Sequence, residues 1–224
     1  MLEIFHVLNR GVDKRNIFLD DQDRFRFIHD LFEFNDQNST CTNSYHFYKS
    51  LDIECRKIVR KPRQLLVEIL VFCLMGNHYH LLLSPLVKEG IPRFMKKLNM
   101  GYAKYFNEKY KRKGTLFEGR YKSVSVIKEK HFSYLPYYIH FNPLDFVFPD
   151  WRNGKVGNSK KATSFLLKYR WSSHLDYLGI KNFPSVTNRS FLLEILGGAD
   201  EYKNSIRDWL KEMGEEGGEN IFFE

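Results

Sequence analysis

The chain has 224 residues, of which 35 are Lys or Arg and 27 are Asp or Glu, giving a formal net charge of +8. Hydrophobic residues make up 43% and aromatic residues 16%, which is typical of a globular protein and excludes a disordered chain. The basic balance favours a polyanionic partner, nucleic acid first. Many basic proteins bind no polyanion, so charge alone leaves this open.

The three cysteines, Cys41, Cys55 and Cys73, are odd in number and have no CxxC spacing. This argues against a disulfide framework and against a zinc cluster. We interpret them as reduced thiols, which predicts a cytoplasmic protein. The first residues lack the basic and apolar regions of a signal peptide, and no apolar run reaches transmembrane length, so no membrane contact is expected.

An apolar stretch at residues 4–8 predicts a first strand that ends in a turn at residues 9–11. A helix follows, with Asp20 or Asp21 as its N-cap. Apolar residues recur along it at helical spacing, which predicts an inward face made of Phe25, Phe27, Ile28, Leu31 and Phe32.

Residues 36–64 open on loop-forming polar residues and exceed the usual link between a helix and a strand, so we interpret them as an insertion. A basic run in this segment fits a nucleic-acid contact and a solvated flank equally well: Arg56, Lys57, Arg60, Lys61 and Arg63. The later elements are predicted from the same patterns: strands at 65–75, 78–84 and 121–128, helices at 90–114, 129–142, 191–196 and 202–210, and a loop at 144–170.

This order of elements, βαββαβ with a further helix, predicts an α+β fold with a ferredoxin-like antiparallel sheet and helices on one face. We predict one domain over residues 1–150 and a C-terminal extension with short helices over residues 151–224. Pro136 lies inside the helical pattern at 129–142, where it must kink the helix or mark its start.

Two histidines one residue apart, His78 and His80, open the second strand of the predicted hairpin. Alternate side chains of a strand share a face, so both imidazoles project together and Tyr79 projects to the other side. Two neutral imidazoles side by side are half of a divalent-metal site. The alternative is that one histidine belongs to the core and the other is exposed by chance.

Tyr138 and Asn142 are four residues apart, so they share one face of the predicted helix. If that face lies over the histidine strand, two imidazoles, an amide oxygen and a phenol meet in one volume. Such a set can hold Mg²⁺ or Mn²⁺ with positions open for a phosphodiester, which the phenol can attack. The alternative is a core aromatic at Tyr138 and a helix C-cap at Asn142.

Two segments carry a resemblance to a known family: residues 75–83, Met-Gly-Asn-His-Tyr-His-Leu-Leu-Leu, and residues 138–143, Tyr-Ile-His-Phe-Asn-Pro. They resemble the two signatures of the HUH single-tyrosine transposases, and most of all the IS200-like branch of REP-associated tyrosine transposases. Further similarities occur in order at residues 6–11, 101–107, 114–121 and 171–173. The chain departs from the family pattern at Gly76, where many relatives have proline, and at Pro136.

The resemblance implies that His78, His80 and Asn142 bind the divalent metal and that Tyr138 is the nucleophile. The implied reaction cleaves single-stranded DNA and gives a 5′-phosphotyrosine and a free 3′-hydroxyl. The implied substrates are short hairpins with single-stranded flanks, bound by base stacking and phosphate contacts. A monomer and a homodimer are both compatible with the sequence.

The predicted DNA contacts are basic residues of the first turn, the long helix and the last strand: Arg10, Lys104, Arg112, Lys113, Arg120 and Lys122. Rival nucleophiles are Tyr102, Tyr105, Tyr110, Tyr134 and Tyr137, and we interpret Tyr102 and Tyr105 as core residues. His6 is interpreted as a residue satisfied within the sheet.

Two further functions stay open. A DNA-binding regulatory protein could keep this fold without transposition, although it has no reason to keep His78, His80, Tyr138 and Asn142 together. An RNA-binding ferredoxin-like module is less compatible, because no strand has the aromatic-rich pattern of such modules.

Overall fold

The computed structural model describes residues 3–38, 62–127 and 129–214. The basic run at residues 56–61 and most of the predicted insertion lie outside these residues. The described strands are β1 (Phe5–Arg10), β2 (Val67–Leu74), β3 (His78–Pro85) and β4 (Lys122–Ser125). They form one antiparallel sheet in the order β2-β3-β1-β4, which confirms the predicted ferredoxin-like α+β class.

Helices connect and follow these strands, and none in the described part of the chain is long and apolar enough to cross a membrane. They are α1 (Asp21–Glu33), α2 (Gly90–Lys109), α3 (Glu129–Phe141), α4 (Ser159–Lys168), α5 (His174–Tyr177), α6 (Ser190–Ile195) and α7 (Ala199–Glu212). Short 3₁₀ turns lie at Val12–Lys14, Asn142–Phe146 and Pro149–Asn153.

The two faces of the sheet carry different layers. Tyr79, Leu81 and Leu83 of β3 pack in one core with α1 and α2, so these helices cover one face as predicted. The other face, which carries Leu82, is also covered by helices, namely α3 and the C-terminal helices. α3 packs against β2 and β3, whereas every residue of β4 is exposed, so the β4 side of this face is open.

The C-terminal extension is part of the second core rather than a detached appendage. Trp151, Tyr177, Tyr202 and Leu210 are buried in the same cluster as Phe141 of α3. The extension also lines the outer edge of β2, where the backbone N–H of Ser173 donates to the carbonyl of Phe72 and that of Leu74 donates to the carbonyl of Trp171. The division at residue 150 remains a prediction.

Part of the predicted loop at 144–170 is helical, so that prediction was wrong. α4 begins after Asn158, whose side chain accepts a hydrogen bond from the backbone N–H of Lys161. Its buried side is narrow, consisting of Ala162 and Leu166 one turn apart. Two buried positions in a polar segment give too weak a periodic signal to outweigh a loop-like composition.

The exposure of one residue and the end of one helix also differ from the predictions. Phe25, placed on the inward face of α1, is 43% exposed and meets the edge of Trp171 at 5.1 Å between ring centroids. Phe27, Ile28 and Leu31 form the buried side. α2 ends at Lys109 rather than at Gly114, and the intervening turn contains a left-handed residue at Lys111 (φ 50°).

Of the two residues predicted as the N-cap of α1, Asp20 is the one that caps it, and its loss gives a testable effect on stability. Its carboxylate accepts a hydrogen bond from the backbone N–H of Asp23 at 2.9 Å, and Asp23 returns the interaction to the backbone of Asp20. We expect Asp20→Ala to lower the free energy of unfolding by about 1 kcal/mol. Urea unfolding measures this loss. Asp21→Ala, an exposed change one residue on, should stay within about 0.5 kcal/mol, and equal losses would contradict the cap.

Candidate active site

His78 and His80 open β3 on the face that α3 covers, as the sequence predicts. Their ring centroids are 5.0 Å apart and the rings are nearly perpendicular, at 80°. The antiparallel register places Arg10 of β1 opposite His78. His78 is half-buried and His80 is buried, so the pair lies at the inner end of a partly open site.

A third histidine joins this pair. His6 lies on β1, and its Nε2 is 2.9 Å from Nδ1 of His80, with the two rings stacked at 5.2 Å. His6 is therefore satisfied within the sheet, as interpreted, but its partner is a predicted metal ligand. When Nδ1 of His80 donates this bond, Nε2 of His80 carries a free lone pair. That nitrogen is buried and has no hydrogen-bond partner among the described residues.

Burial keeps the three imidazoles neutral. It lowers the pKa of His6 to about 4, and it lowers the pKa of His78 to about 4 with a smaller contribution from the charge of Arg10. Burial also holds the pKa of His80 well below its ordinary value, and the nearby imidazoles add to this effect. At pH 7 the nitrogens are therefore in the form that can coordinate a metal ion.

Tyr138 is half-buried on α3, and its ring meets the histidines edge-on. The ring centroids lie 6.4 Å from His80 and 6.5 Å from His6. α3 runs through Pro136 without interruption, so Tyr138 and Asn142 keep the predicted helical spacing. The sheet and α3 thus bring Tyr138 to the histidines.

The neighbouring tyrosines are engaged in the second core. Tyr134 stacks on Trp209 at 5.1 Å, and Tyr137 stacks on Trp209 at 5.3 Å and on Tyr202 at 5.3 Å. His140 is fully buried and bonds to the hydroxyl groups of Ser173 and Tyr202. The C-terminal extension therefore fixes the rotation of α3 that turns Tyr138 towards the sheet.

Asn142 closes the last turn of α3. Its Nδ2 donates to the carbonyl of Tyr138 at 2.9 Å, so the side chain acts as a helix C-cap. Its Oδ1 accepts a hydrogen bond from Nη2 of Arg152 at 2.8 Å. A carbonyl oxygen has two lone pairs, so one remains for a cation. The use of Asn142 as a metal ligand stays a prediction.

Arg152 is the site residue that sequence reasoning missed. Its Nε donates to the hydroxyl oxygen of Tyr138 at 3.5 Å, and its Nη1 pairs with Asp145, which also accepts a hydrogen bond from Nε1 of Trp151 at 2.6 Å. Arg152 lies on a short 3₁₀ turn within the segment predicted as a loop. No periodic pattern in the sequence marks it.

The donor set fits a divalent ion only with help from an amide or from substrate and water oxygens. Within the described ranges no group of three or more His, Cys, Asp or Glu side chains is arranged to hold a metal ion. The two neutral imidazoles of His78 and His80 and the unpartnered Nε2 of His80 suit a borderline cation. Asn142 would supply the third protein ligand.

The predicted DNA contacts separate into two groups. Arg10 lies beside His78, Arg120 is exposed just before β4, and Lys122 of β4 pairs with Leu8 on the histidine side of the sheet. The structure does not bring the second group to the histidines, because α2 covers the opposite face. This second group consists of Lys104, Arg112 and Lys113.

The tyrosines of α2 and its C-cap lie with that opposite layer. The hydroxyl of Tyr102 donates to the carbonyl of Ile17 at 2.5 Å, and the hydroxyls of Tyr105 and Tyr110 bond to Asp23. Tyr102 is buried and Tyr105 is half-buried. All three are therefore separated from the histidines by the sheet.

Comparisons with known proteins match the chain to a transposase family. Residues 39–142 match the family model described as "Transposase IS200 like", a span that includes His78, His80, Tyr138 and Asn142. A solved structure titled "Structure of the REP associates tyrosine transposase bound to a REP hairpin" matches with 13% identity and a TM-score of 0.48, over 84% of this chain and 89% of that chain. No curated protein matches the chain significantly. The family match confirms the resemblance seen in the motifs.

Proposed function

We propose, from the motifs and from the match of residues 39–142 to the IS200-like transposase family, that the protein cleaves and rejoins single-stranded DNA through a covalent bond to Tyr138. The observation that carries the proposal is the meeting of Tyr138 with His80 and His6, at 6.4 and 6.5 Å between ring centroids. The β4 side of the same sheet face is open, so a strand of DNA can reach them.

The proposed reaction exchanges one phosphoester for another. The hydroxyl oxygen of Tyr138 attacks the phosphorus, and the bond from phosphorus to the 3′-oxygen breaks. The phenol proton passes to solvent, and the departing 3′-oxygen takes a proton from solvent. The products are a 5′-phosphotyrosine and a free 3′-hydroxyl. A second 3′-hydroxyl can reverse the step, so rejoining needs no nucleotide cofactor.

The proposed cofactor is Mg²⁺ or Mn²⁺, held by His78, His80 and Asn142. When bound, the ion would polarise a phosphoryl oxygen and so favour attack on phosphorus. The unpartnered Nε2 of His80 supports this assignment, because a buried nitrogen without a partner destabilises the site unless something binds it. The bond between His80 and His6 supports it further, since it orients the ring.

The proposed substrate is a DNA hairpin with single-stranded flanks. The motif resemblance supports it, as does the net charge of +8. Arg10, Arg120 and Lys122 lie next to the histidines and along the open side of the face, where they can contact phosphates.

A covalent-trapping assay tests the function. Hairpin oligonucleotides from DNA flanking the protein's own gene are labelled at either the 5′ or the 3′ end, incubated with Mg²⁺, Mn²⁺ or EDTA, and run on a denaturing gel. We expect a metal-dependent adduct that carries the 3′ label, because the 5′-phosphate of the downstream fragment joins the protein. The 5′ label should appear on a released fragment.

Two results would contradict the proposal. An adduct that carries the 5′ label would reverse the assigned polarity. Tight binding to the same oligonucleotides without an adduct under either metal would favour the DNA-binding regulatory protein.

A further inference from the structure

Arg152 connects the nucleophile and the amide at the end of α3. Its Nε–H points to the hydroxyl oxygen of Tyr138 at 3.5 Å, and its Nη2 donates to Oδ1 of Asn142 at 2.8 Å. Its guanidinium carbon lies 5.7 Å from the ring centroid of Tyr138. A single planar group therefore contacts both side chains through two different nitrogens, whereas a lysine ammonium carries all its donors on one nitrogen.

The guanidinium is itself held on its other sides. Asp145 pairs with Nη1 of Arg152, and that carboxylate is fixed by Nε1 of the fully buried Trp151. Arg152 also stacks on the ring of Trp151, with its guanidinium carbon 4.6 Å from the centroid. These contacts preorganise the cation, so it need not move when charge develops on the hydroxyl oxygen of Tyr138.

We propose that Arg152 is a catalytic residue that stabilises the negative charge on the oxygen of Tyr138 during attack on phosphorus. The proposal rests on the proposed function, since it assigns Arg152 a role in that reaction. As the phenol proton leaves for solvent, the oxygen of Tyr138 gains negative charge and accepts a stronger hydrogen bond from the Nε–H of Arg152. The guanidinium of Arg152 can stabilise the same oxygen in the rejoining step, where the bond from phosphorus to the oxygen of Tyr138 breaks and that oxygen is the leaving group.

The role differs from a purely structural ion pair. The pair with Asp145 alone would need no contact with Tyr138, yet Arg152 directs a second donor to it and a third to Asn142. Loss of one such donor typically reduces a rate by about 10²- to 10³-fold. Lysine in its place keeps the charge and loses the fork, so it should recover only part of the rate.

The test measures the single-turnover rate of adduct formation at saturating hairpin DNA in the full chain. We expect Arg152→Gln to slow it about 10²-fold or more, with a DNA dissociation constant within a few-fold of the parent's. Circular dichroism should show that the variant is folded at the assay temperature. Arg152→Lys should be intermediate. Added guanidinium should accelerate Arg152→Gln and leave the parent unaffected. Lys155→Gln, an exposed change of the same charge nearby, is the matched control.

The outcomes separate the two proposals. If the parent protein forms no adduct, the proposed function fails and the role of Arg152 fails with it. If the parent forms the adduct and Arg152→Gln matches Lys155→Gln in rate, only the role of Arg152 is overturned. A slow variant that guanidinium does not accelerate, while Arg152→Lys reacts at the parent's rate, would reduce Arg152 to a phosphate-binding charge and overturn it equally.

Discussion

Replacing Tyr138 with phenylalanine is expected to abolish the covalent protein–DNA adduct. The change removes only the hydroxyl oxygen, and Tyr138 is the described tyrosine whose ring meets both His6 and His80. The rate should fall by at least about 10⁴-fold. DNA affinity should change by less than about tenfold, because a single hydrogen bond is lost. The denaturing-gel assay measures the adduct, and filter binding or fluorescence anisotropy measures affinity.

The matched control is Tyr134→Phe, the same chemical change one helical turn earlier on α3. The ring of Tyr134 contacts that of Tyr138 at 5.9 Å but stacks on Trp209, so it is turned towards the C-terminal helices. We expect this variant to form the adduct at close to the parent's rate. Retained adduct in Tyr138→Phe, or its loss in Tyr134→Phe alone, would show that the nucleophile is wrongly assigned.

Local periodicity was enough to predict which side chains share a face. A spacing of two on β3 places His78 and His80 together, and a spacing of four on α3 aligns Tyr138 with Asn142. Both relations hold inside one element and need no long-range information. The same is true of the cap at Asp20, which depends on residues only three apart.

Local patterns do not say which face of the sheet a helix covers. From the sequence, Lys104 of α2 and Arg10 of β1 are both predicted as DNA contacts, because both are basic residues. Strand order and the packing of the cores place α2 on the face opposite His80. That outcome depends on pairing between strands more than 60 residues apart, such as β1 with β3.

The two unpredicted features of the site have the same origin. His6 reaches His80 only because β1 lies beside β3, 74 residues away in sequence. Arg152 reaches Tyr138 because two 3₁₀ turns fold the chain back on the end of α3, and such turns are too short to leave a periodic pattern. By contrast, the sequence already left open that Asn142 is a helix C-cap, and the hydrogen bond from its Nδ2 to the Tyr138 carbonyl shows that it is.

The second large effect is expected at His80, through the metal. We expect His80→Ala to lower metal-dependent adduct formation by more than about 100-fold, beyond the loss typical of residues that only orient a ligand. His6→Ala removes the partner that orients the His80 ring and should weaken apparent metal affinity by about 10- to 100-fold, with recovery at higher Mn²⁺. Titrating Mn²⁺ at fixed hairpin DNA measures both.

These two variants distinguish a metal ligand from a residue that only orients the ligand, because their adduct formation should respond differently to added metal. His6→Ala leaves both coordinating imidazoles in place. The midpoint of its Mn²⁺ titration should therefore move to a higher concentration, whereas the maximal amount of adduct should be nearly the parent's. His80→Ala removes the buried, unpartnered Nε2, so added metal should not restore the plateau. His29→Ala on α1, half-exposed on the far side of the sheet, controls for histidine loss. Full recovery of a folded His80→Ala at high Mn²⁺ would mean that the ion is held elsewhere.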